Sequence, residues 1–222
     1  FTAHGATIST LKPSNNGFRV PWSDIFRDRF AGQPLKPVHI SHGASEMSGE
    51  AIITQSGIEG GAIYALSPLL RDRIAAEGSA DLVLDLSPNL TAAELAKKIA
   101  YAPSGTSTAN RLRRAGLTPI AASLLRERRG GPGLPTDPAE LTAIAKACVI
   151  QLTGVAPIER AISTAGGISW DSINADYSLT SDPRIFVAGE MLDWEAPTGG
   201  YLLQACFATG RAAAHGMLKR LS

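Results

Sequence analysis

The segment FVAGEMLDWEAPTGGYLLQACFATGRAAAHG, residues 186–216, restricts the fold more than any other stretch. Ile185-Phe186-Val187-Ala188 is apolar without alternation, which predicts a strand covered on both faces and hence a parallel sheet. The run stops at Gly189-Glu190. After a short loop, Thr198 reads as an N-cap, with Gly199 and Gly200 in the first positions of a helix reaching about Leu221. Each glycine costs up to about 1 kcal/mol relative to alanine inside a helix, so something at that helix start must offset the cost. A bare backbone with free amides and a partial positive charge suits a planar ligand with an anionic edge. Ligands collect at the carboxyl ends of parallel strands, which places Gly189 and Glu190 at the rim of such a site. A carboxylate there can accept two hydroxyl hydrogen bonds from a sugar or sugar-alcohol chain. A tight strand-to-helix turn without a ligand accounts for the same residues. The small residues Ala205, Ala208, Gly210, Ala212, Ala213 and Ala214 allow that helix to approach strands closely.

The preceding 185 residues change character twice. Short apolar runs and turn residues alternate over 17–56, with strands predicted at 34–41, 49–54 and, from the period-two pattern of ADLVLDL, at 80–86. Residues 60–78 have apolar positions at helical spacing and stop at Gly78, which predicts one helix packed on that sheet. From Leu86 the pattern is helical only. Thr91-Ala-Ala-Glu94 is a capping box opening a helix over 92–101. Helices follow near 106–115 and 118–129, broken by Gly116 and Pro119. The linker 129–138 ends with Asp137 as N-cap and Pro138 at the first position of a helix to about Gln151. Strands and glycine-rich turns return after Gly154.

Composition narrows the classes of function. Hydrophobic residues make up 44% of the chain and charged residues 18%, with a formal net charge of +1. That is an ordinary globular balance, which points to neither a nucleic-acid nor a membrane partner. No apolar run reaches the roughly 18 to 20 residues of a spanning helix, and the first residues have neither a basic nor a hydrophobic leader region. A soluble, cytoplasmic protein is expected. Cys148 and Cys206 lack CxxC spacing and read as small core residues on buried helices. His39 and His42, with Glu46 and Glu50 nearby, point to opposite faces of a strand, so no metal site is expected. Arg111, Arg113, Arg114, Arg126, Arg128 and Arg129 make the helical stretch locally basic; without interleaved aromatic residues this reads as a solvated face, with a nucleic-acid-binding insert the weaker reading. No GxSxG occurs, and neither His4 nor His215 stands in a recognisable nucleophile motif.

Three motifs together, ITQSGIEGGAIYALS (53–67), TAGGIS (164–169) and GEMLDWEAPTGGYLLQACFATG (189–210), resemble the HI0933-like flavoproteins. These are FAD-dependent oxidoreductases of the glutathione-reductase-like group, among them an aminoacetone oxidase and a bile-acid enoate reductase. The resemblance implies that Gly189 and Glu190 lie near the ribityl chain of FAD. It sets the amides of Thr198, Gly199, Gly200 and Tyr201 against the pyrimidine edge, where a reduced flavin carries its negative charge. It also brings Thr164, Gly166 and Gly167 near the ring, and Glu59 and Tyr64 to the substrate side. Packing at a helix start accounts equally for GIEGGAIY (57–64). Leu202 stands where many relatives have asparagine.

The GxGxxG that cradles the pyrophosphate in such proteins is absent; the nearest cluster, GGPGLP at 130–135, lies in a linker that no strand feeds. The resemblance therefore implies a multidomain α+β and α/β fragment: a β-barrel-like insert domain interrupted by a helical bundle, plus the C-terminal strand–helix portion of a Rossmann-like FAD-binding domain. The expected boundaries are 1–87 for the first part of the barrel, 88–150 for the helices, 151–163 for a return strand and 164–222 for the FAD-domain portion. Its expected partners are an N-terminal FAD-binding segment missing from this sequence and a small-molecule substrate, with NAD(P)H, oxygen and other acceptors all open as electron partners. The expected function is flavin-mediated redox of a small organic substrate by the parent protein. The alternative is an inactive cap or substrate-binding module, and the chain alone is expected to bind FAD weakly or not at all.

Overall fold

A computed structural model describes residues 1–103, 105–130 and 133–221. In chain order the elements are β1 (Ile8–Ser14), β2 (Phe18–Arg19), α1 (Asp24–Phe30), β3 (Pro34–His42), β4 (Ser45–Ile53), β5 (Gly57–Glu59), α2 (Gly61–Ala65), α3 (Ser67–Glu77), β6 (Ala80–Asp85), α4 (Ala92–Ala100), α5 (Thr108–Arg114), α6 (Pro119–Leu124), α7 (Pro138–Lys146), β7 (Cys148–Leu152), β8 (Gly154–Val155), β9 (Ser163–Ile168) and α8 (Tyr201–Leu221). They form two compact units, residues 17–156 and residues 1–16 with 157–222. Residues 1–16, counted with the barrel in the sequence reading, thus pack with the C-terminal segment.

The unit of residues 17–156 is built on a seven-stranded antiparallel sheet in the order β7-β6-β3-β4-β5-β2-β8. Alternation dictates its faces. In β6 every second residue is buried, with Leu82 and Leu84 fully enclosed. The helices between residues 88 and 150 share the core of the sheet: Leu95, Ile99, Leu112, Leu124 and Leu141 join Leu35, Ile40, Leu82 and Leu84 in one apolar cluster. An amphipathic helix of nine residues or fewer is marginal alone, so burial against the sheet stabilises these helices.

Their starts are fixed locally. Ser23, Thr91, Ser107, Thr118 and Asp137 each accept a hydrogen bond from the amide three residues on. The capping box is complete: the Thr91 amide donates to Glu94 at 2.8 Å and the Glu94 amide to the Thr91 hydroxyl at 3.2 Å. The Thr91 amide and hydroxyl, both donating to it, hold the Glu94 carboxyl below its ordinary value.

Three elements of this unit differ from expectation. The single helix at 60–78 is two, α2 and α3, because Pro68 at the start of α3 lacks an amide donor and its ring excludes the carbonyl four residues back. The helix expected to reach Leu124 and beyond to 129 ends at Leu124. The helix expected to reach Gln151 ends at Lys146, and Cys148–Leu152 forms β7, pairing antiparallel from Ala80↔Leu152 to Leu84↔Cys148. The β-branched pair Val149-Ile150 favours a strand, and β6 supplies the edge it needs. Of the 129–138 linker, Gly131 and Pro132 lie outside the described residues.

Cys148 therefore sits on a buried strand, not a helix, and burial pushes its thiol pKa up to about 12. Only a thiolate is nucleophilic. Iodoacetamide at mildly alkaline pH should leave Cys148 unmodified in the folded chain and alkylate it after denaturation. Peptide mass mapping that finds Cys148 alkylated as fast as Cys206 in the native protein would contradict this packing.

In the second unit, β1 and β9 pair antiparallel from Ile8↔Ile168 to Ser14↔Ser163, with a register shift between Ser9 and Lys12. A small core of Ala6, Ile168, Leu179, Val187 and Leu192 lies beside them. The parallel strand expected at 185–188 is not formed. Leu179 donates to Ile185 at 2.8 Å and Val187 to Tyr177 at 2.9 Å, an antiparallel return within a loop. Of that run only Val187 is buried, at 1% exposure, so coverage on both faces is not met. Among the described residues no helix is long and apolar enough to cross a membrane.

Helix α8 is docked by Ala213 and Gly216. A Cβ at Gly216 would lie 2.2 Å from the Asp176 carbonyl oxygen, so its small residues serve contact with a turn as well as with the core. Arg220 closes the far end, donating to Asp176 at 2.7 Å, to Ser178 at 2.9 Å and to the Pro183 carbonyl at 3.0 Å. The hydrogen bonds from Ser178 and Arg220 hold the Asp176 carboxyl down at about 2.

Candidate functional site

Residues 190–196 are laid along the β1–β9 ribbon by a row of side-chain contacts. The Glu190 carboxylate accepts the Thr164 amide at 3.0 Å and its hydroxyl at 3.4 Å, both on Oε1. Asp193 accepts the Ser9 hydroxyl at 2.6 Å, and Glu195 accepts the Ser14 hydroxyl at 2.8 Å. Asn15, buried with φ 48°, donates to Ser163 at 2.7 Å and to the Ala196 carbonyl at 3.1 Å. Trp170 donates to the Asp193 carbonyl at 2.8 Å. Ser9, Ser14, Asn15, Asp193 and Glu195 escaped the sequence reading, since each pair is joined across more than 140 residues; the spacing of the three acids along one short segment was the available signal. Glu190 itself is exposed, yet its orientation is set by Thr164.

Gly189 and Glu190 do not follow a sheet strand; they begin a single 3-10 turn that continues to Met191. The Gly189 amide donates to Thr209 Oγ1 at 3.0 Å, and a Cβ at Gly189 would meet Cys206 Sγ at 3.5 Å. Glu190 thus stands beside the second and third turns of α8. With a rise of about 1.5 Å per residue, Cys206 lies roughly 9 Å along the axis from Gly200.

Gly199 and Gly200 are not the first helical residues. They form a turn with φ of +105° and +89°, and the first α-helical bond runs from the Gln204 amide to the Gly200 carbonyl at 3.1 Å. Gly200, not Thr198, therefore holds the cap position. At positive φ glycine is the favourable residue, so the cost inferred from the sequence does not arise. The start still leaves the amides of Tyr201, Leu202 and Leu203 without an intrahelical acceptor. A Cβ at Gly200 would meet no heavy atom within 4 Å, and Tyr201 is 60% exposed.

Gly166 and Gly167 are explained inside the unit. A Cβ at Gly166 would lie 2.3 Å from the Thr10 carbonyl oxygen, and one at Gly167 2.5 Å from that of Met191. Thr164, Gly166, Gly167, Gly189, Glu190, Thr198, Gly199, Gly200 and Tyr201 all belong to the unit of residues 1–16 and 157–222. Glu59 and Tyr64, both half-buried, belong to the unit of residues 17–156. Glu59 ends β5, opposite Ile52, and Tyr64 lies on α2.

Several of the other titratable groups singled out in the sequence have partners. His39 pairs with Ser48 at 2.9 Å and Glu46 at 3.3 Å, while His42 pairs with the Asp81 carbonyl at 2.8 Å. Among the described residues no three His, Cys, Asp or Glu side chains are grouped to hold a metal ion. Arg111 and Arg128 donate to carbonyls of their own helical region, and Arg129 pairs with Asp81 at 2.5 Å.

Residues 12–163 match the model of the HI0933-like protein barrel and H2TH domain. A comparison with curated proteins gives no match. The matched stretch takes in the whole of the 17–156 unit and ends one residue before Thr164. With well over half of its residues inside that match, the chain belongs to the HI0933-like family.

Proposed function

We propose that this chain is the substrate-domain and C-terminal portion of an FAD-dependent oxidoreductase acting on a small organic substrate. The observation that carries the reading is the pairing of an oriented carboxylate with an open helix start in one unit. Glu190, turned by Thr164, offers its second oxygen to ribityl hydroxyls, and the amides ahead of α8 offer donors to an electron-rich ring edge. The roughly 9 Å of helix between them suits one extended ligand. A bound flavin supplies the redox chemistry, while the protein groups bind, orient and tune it. Thr164 fixes the Glu190 carboxylate, Gly200 keeps the approach to the amides clear, and the exposed Tyr201 ring stands beside Gly199. Gly167 serves the site by letting β9 lie close under the segment that carries Glu190, and Gly166 by letting β9 lie close to β1. Glu59 and Tyr64 are assigned to the substrate side on the family resemblance alone.

Titration of FAD into the chain, followed by quenching of flavin fluorescence, tests this. Weak, saturable quenching is expected. Glu190→Gln, which weakens a charge-assisted hydrogen bond, should lower the affinity about tenfold. Quenching that is absent, or equal in the two proteins, favours the second reading, a binding module without redox activity. That reading draws on the compact 17–156 unit, which has its own sheet and core.

A further inference from the structure

The 17–156 unit holds a cavity of about 230 Å³ where the connection from β6 to α4 meets the sheet and the α5–α6 turn. Its apolar wall comes from Leu35 and Pro37 of β3, Leu86 and Leu90 of the connection, and Ala115 and Ala121 of the helices. Lys36 and Lys98 line it too, and among the described residues no carboxylate does. Lys98 also borders a shallower basin of about 400 Å³, whose other walls include Lys97, Tyr101 and Arg114. Lys98 is the residue common to both hollows. Among the described residues four cations and no acid line the pair.

The charges are unequally compensated. Lys36 is paired with Glu50 at 3.5 Å, and Glu94 lies near enough to Lys98 for their charges to interact. Among the described residues no acid pairs with Lys97 or Arg114. Beside them Tyr101 is 88% exposed, which gives an apolar and aromatic border to a positive basin. The smaller cavity has room for roughly eight water-sized volumes, the bulk of a short alkyl chain or a single ring. Concave apolar walls with a few convergent polar groups are the usual form of a small-molecule site.

We propose that the adjoining hollows bind an amphipathic organic anion, its apolar body in the smaller cavity and its carboxylate or phosphate group against Lys98, Lys97 and Arg114. The site uses neither Glu190 nor α8 and so stands or falls apart from the flavin reading. Lysines in the last turn of α4 and arginines in that of α5 also complement the helix dipoles. A role confined to that complement predicts no ligand at all.

Calorimetric titration of the chain with octanoate separates the two. Saturable one-site binding is expected, with 1-octanol binding at least tenfold more weakly. Lys98→Glu, a change at an exposed position, should weaken octanoate about tenfold. Ala121→Leu places a larger side chain in the cavity and should abolish binding. Asn89→Trp, at the exposed rim of the same cavity, should act alike and serves if Ala121→Leu fails to fold. Absence of saturable heat, equal binding of octanol, or unchanged affinity in Lys98→Glu or in the folded cavity variant would each overturn the proposal.

Discussion

Gly57→Ala should destabilise the chain by about 3 kcal/mol or more, at the upper end of what overpacking costs. A Cβ at Gly57 would lie 1.8 Å from the Phe18 carbonyl oxygen and 2.9 Å from Arg19 Cα. Both neighbours are main-chain atoms of β2, so no side-chain rotamer can relieve the contact. Relief requires parting β2 from β5, where Phe18 pairs with Ile58 and Arg19 with Gly57. The Gly57 carbonyl is occupied as well, accepting Trp22 Nε1 at 2.9 Å and the Thr54 amide at 2.8 Å. Moving the strand would therefore disturb Trp22 and Phe18, both in the core. Gly61→Ala is the control, since a Cβ there meets nothing within 4 Å. Urea unfolding followed by circular dichroism should show a large fall in midpoint for Gly57→Ala and a small change for Gly61→Ala. Equal midpoints would mean that the two strands are not in such close approach.

The second large effect is expected at Gly166. Alanine there must adopt φ +88°, which costs roughly 1–2 kcal/mol for a residue with a side chain. Its Cβ would also stand 2.3 Å from the Thr10 carbonyl oxygen, adding about 1–3 kcal/mol of overpacking. The sum, about 3 kcal/mol, falls on the ribbon whose Thr164 amide orients Glu190. Gly200→Ala separates the two contributions, because Gly200 has a similar φ of +89° but open space around it. Fluorescence of Trp170 and Trp194 during urea unfolding should report the larger loss for Gly166→Ala. If the two alanine variants were equally stable, the close approach of β1 to β9 would not be what demands glycine at 166.

Glu190 was reachable from sequence because its motif is contiguous with Thr198–Tyr201. What holds it in place was not. Ser9 and Asp193 lie 184 residues apart, and Ser14 and Glu195 lie 181 apart. The sequence reading put Gly199 and Gly200 inside the helix and assigned Gly166 and Gly167 through the family resemblance alone; the structure gives each pair a local role. Gly166 and Gly167 leave room for other main-chain atoms, and Gly199 and Gly200 supply positive φ before the helix begins.

Local chemistry set the helix starts. The caps at Thr91, Ser107, Thr118 and Asp137 depend on atoms three residues apart, and the Gly78 stop on one residue in the left-handed region, so sequence alone determined them. The alternation of β6 belongs to the same class. Packing decided the rest. Cys148–Leu152 became a strand because β6 offered an edge, and Ile185–Val187 became a loop in which the Ile185 carbonyl and the Val187 amide pair back with 177–179. A short apolar run is compatible with helix, strand or loop, and only the surfaces and hydrogen-bonding groups brought to it by distant segments select among them.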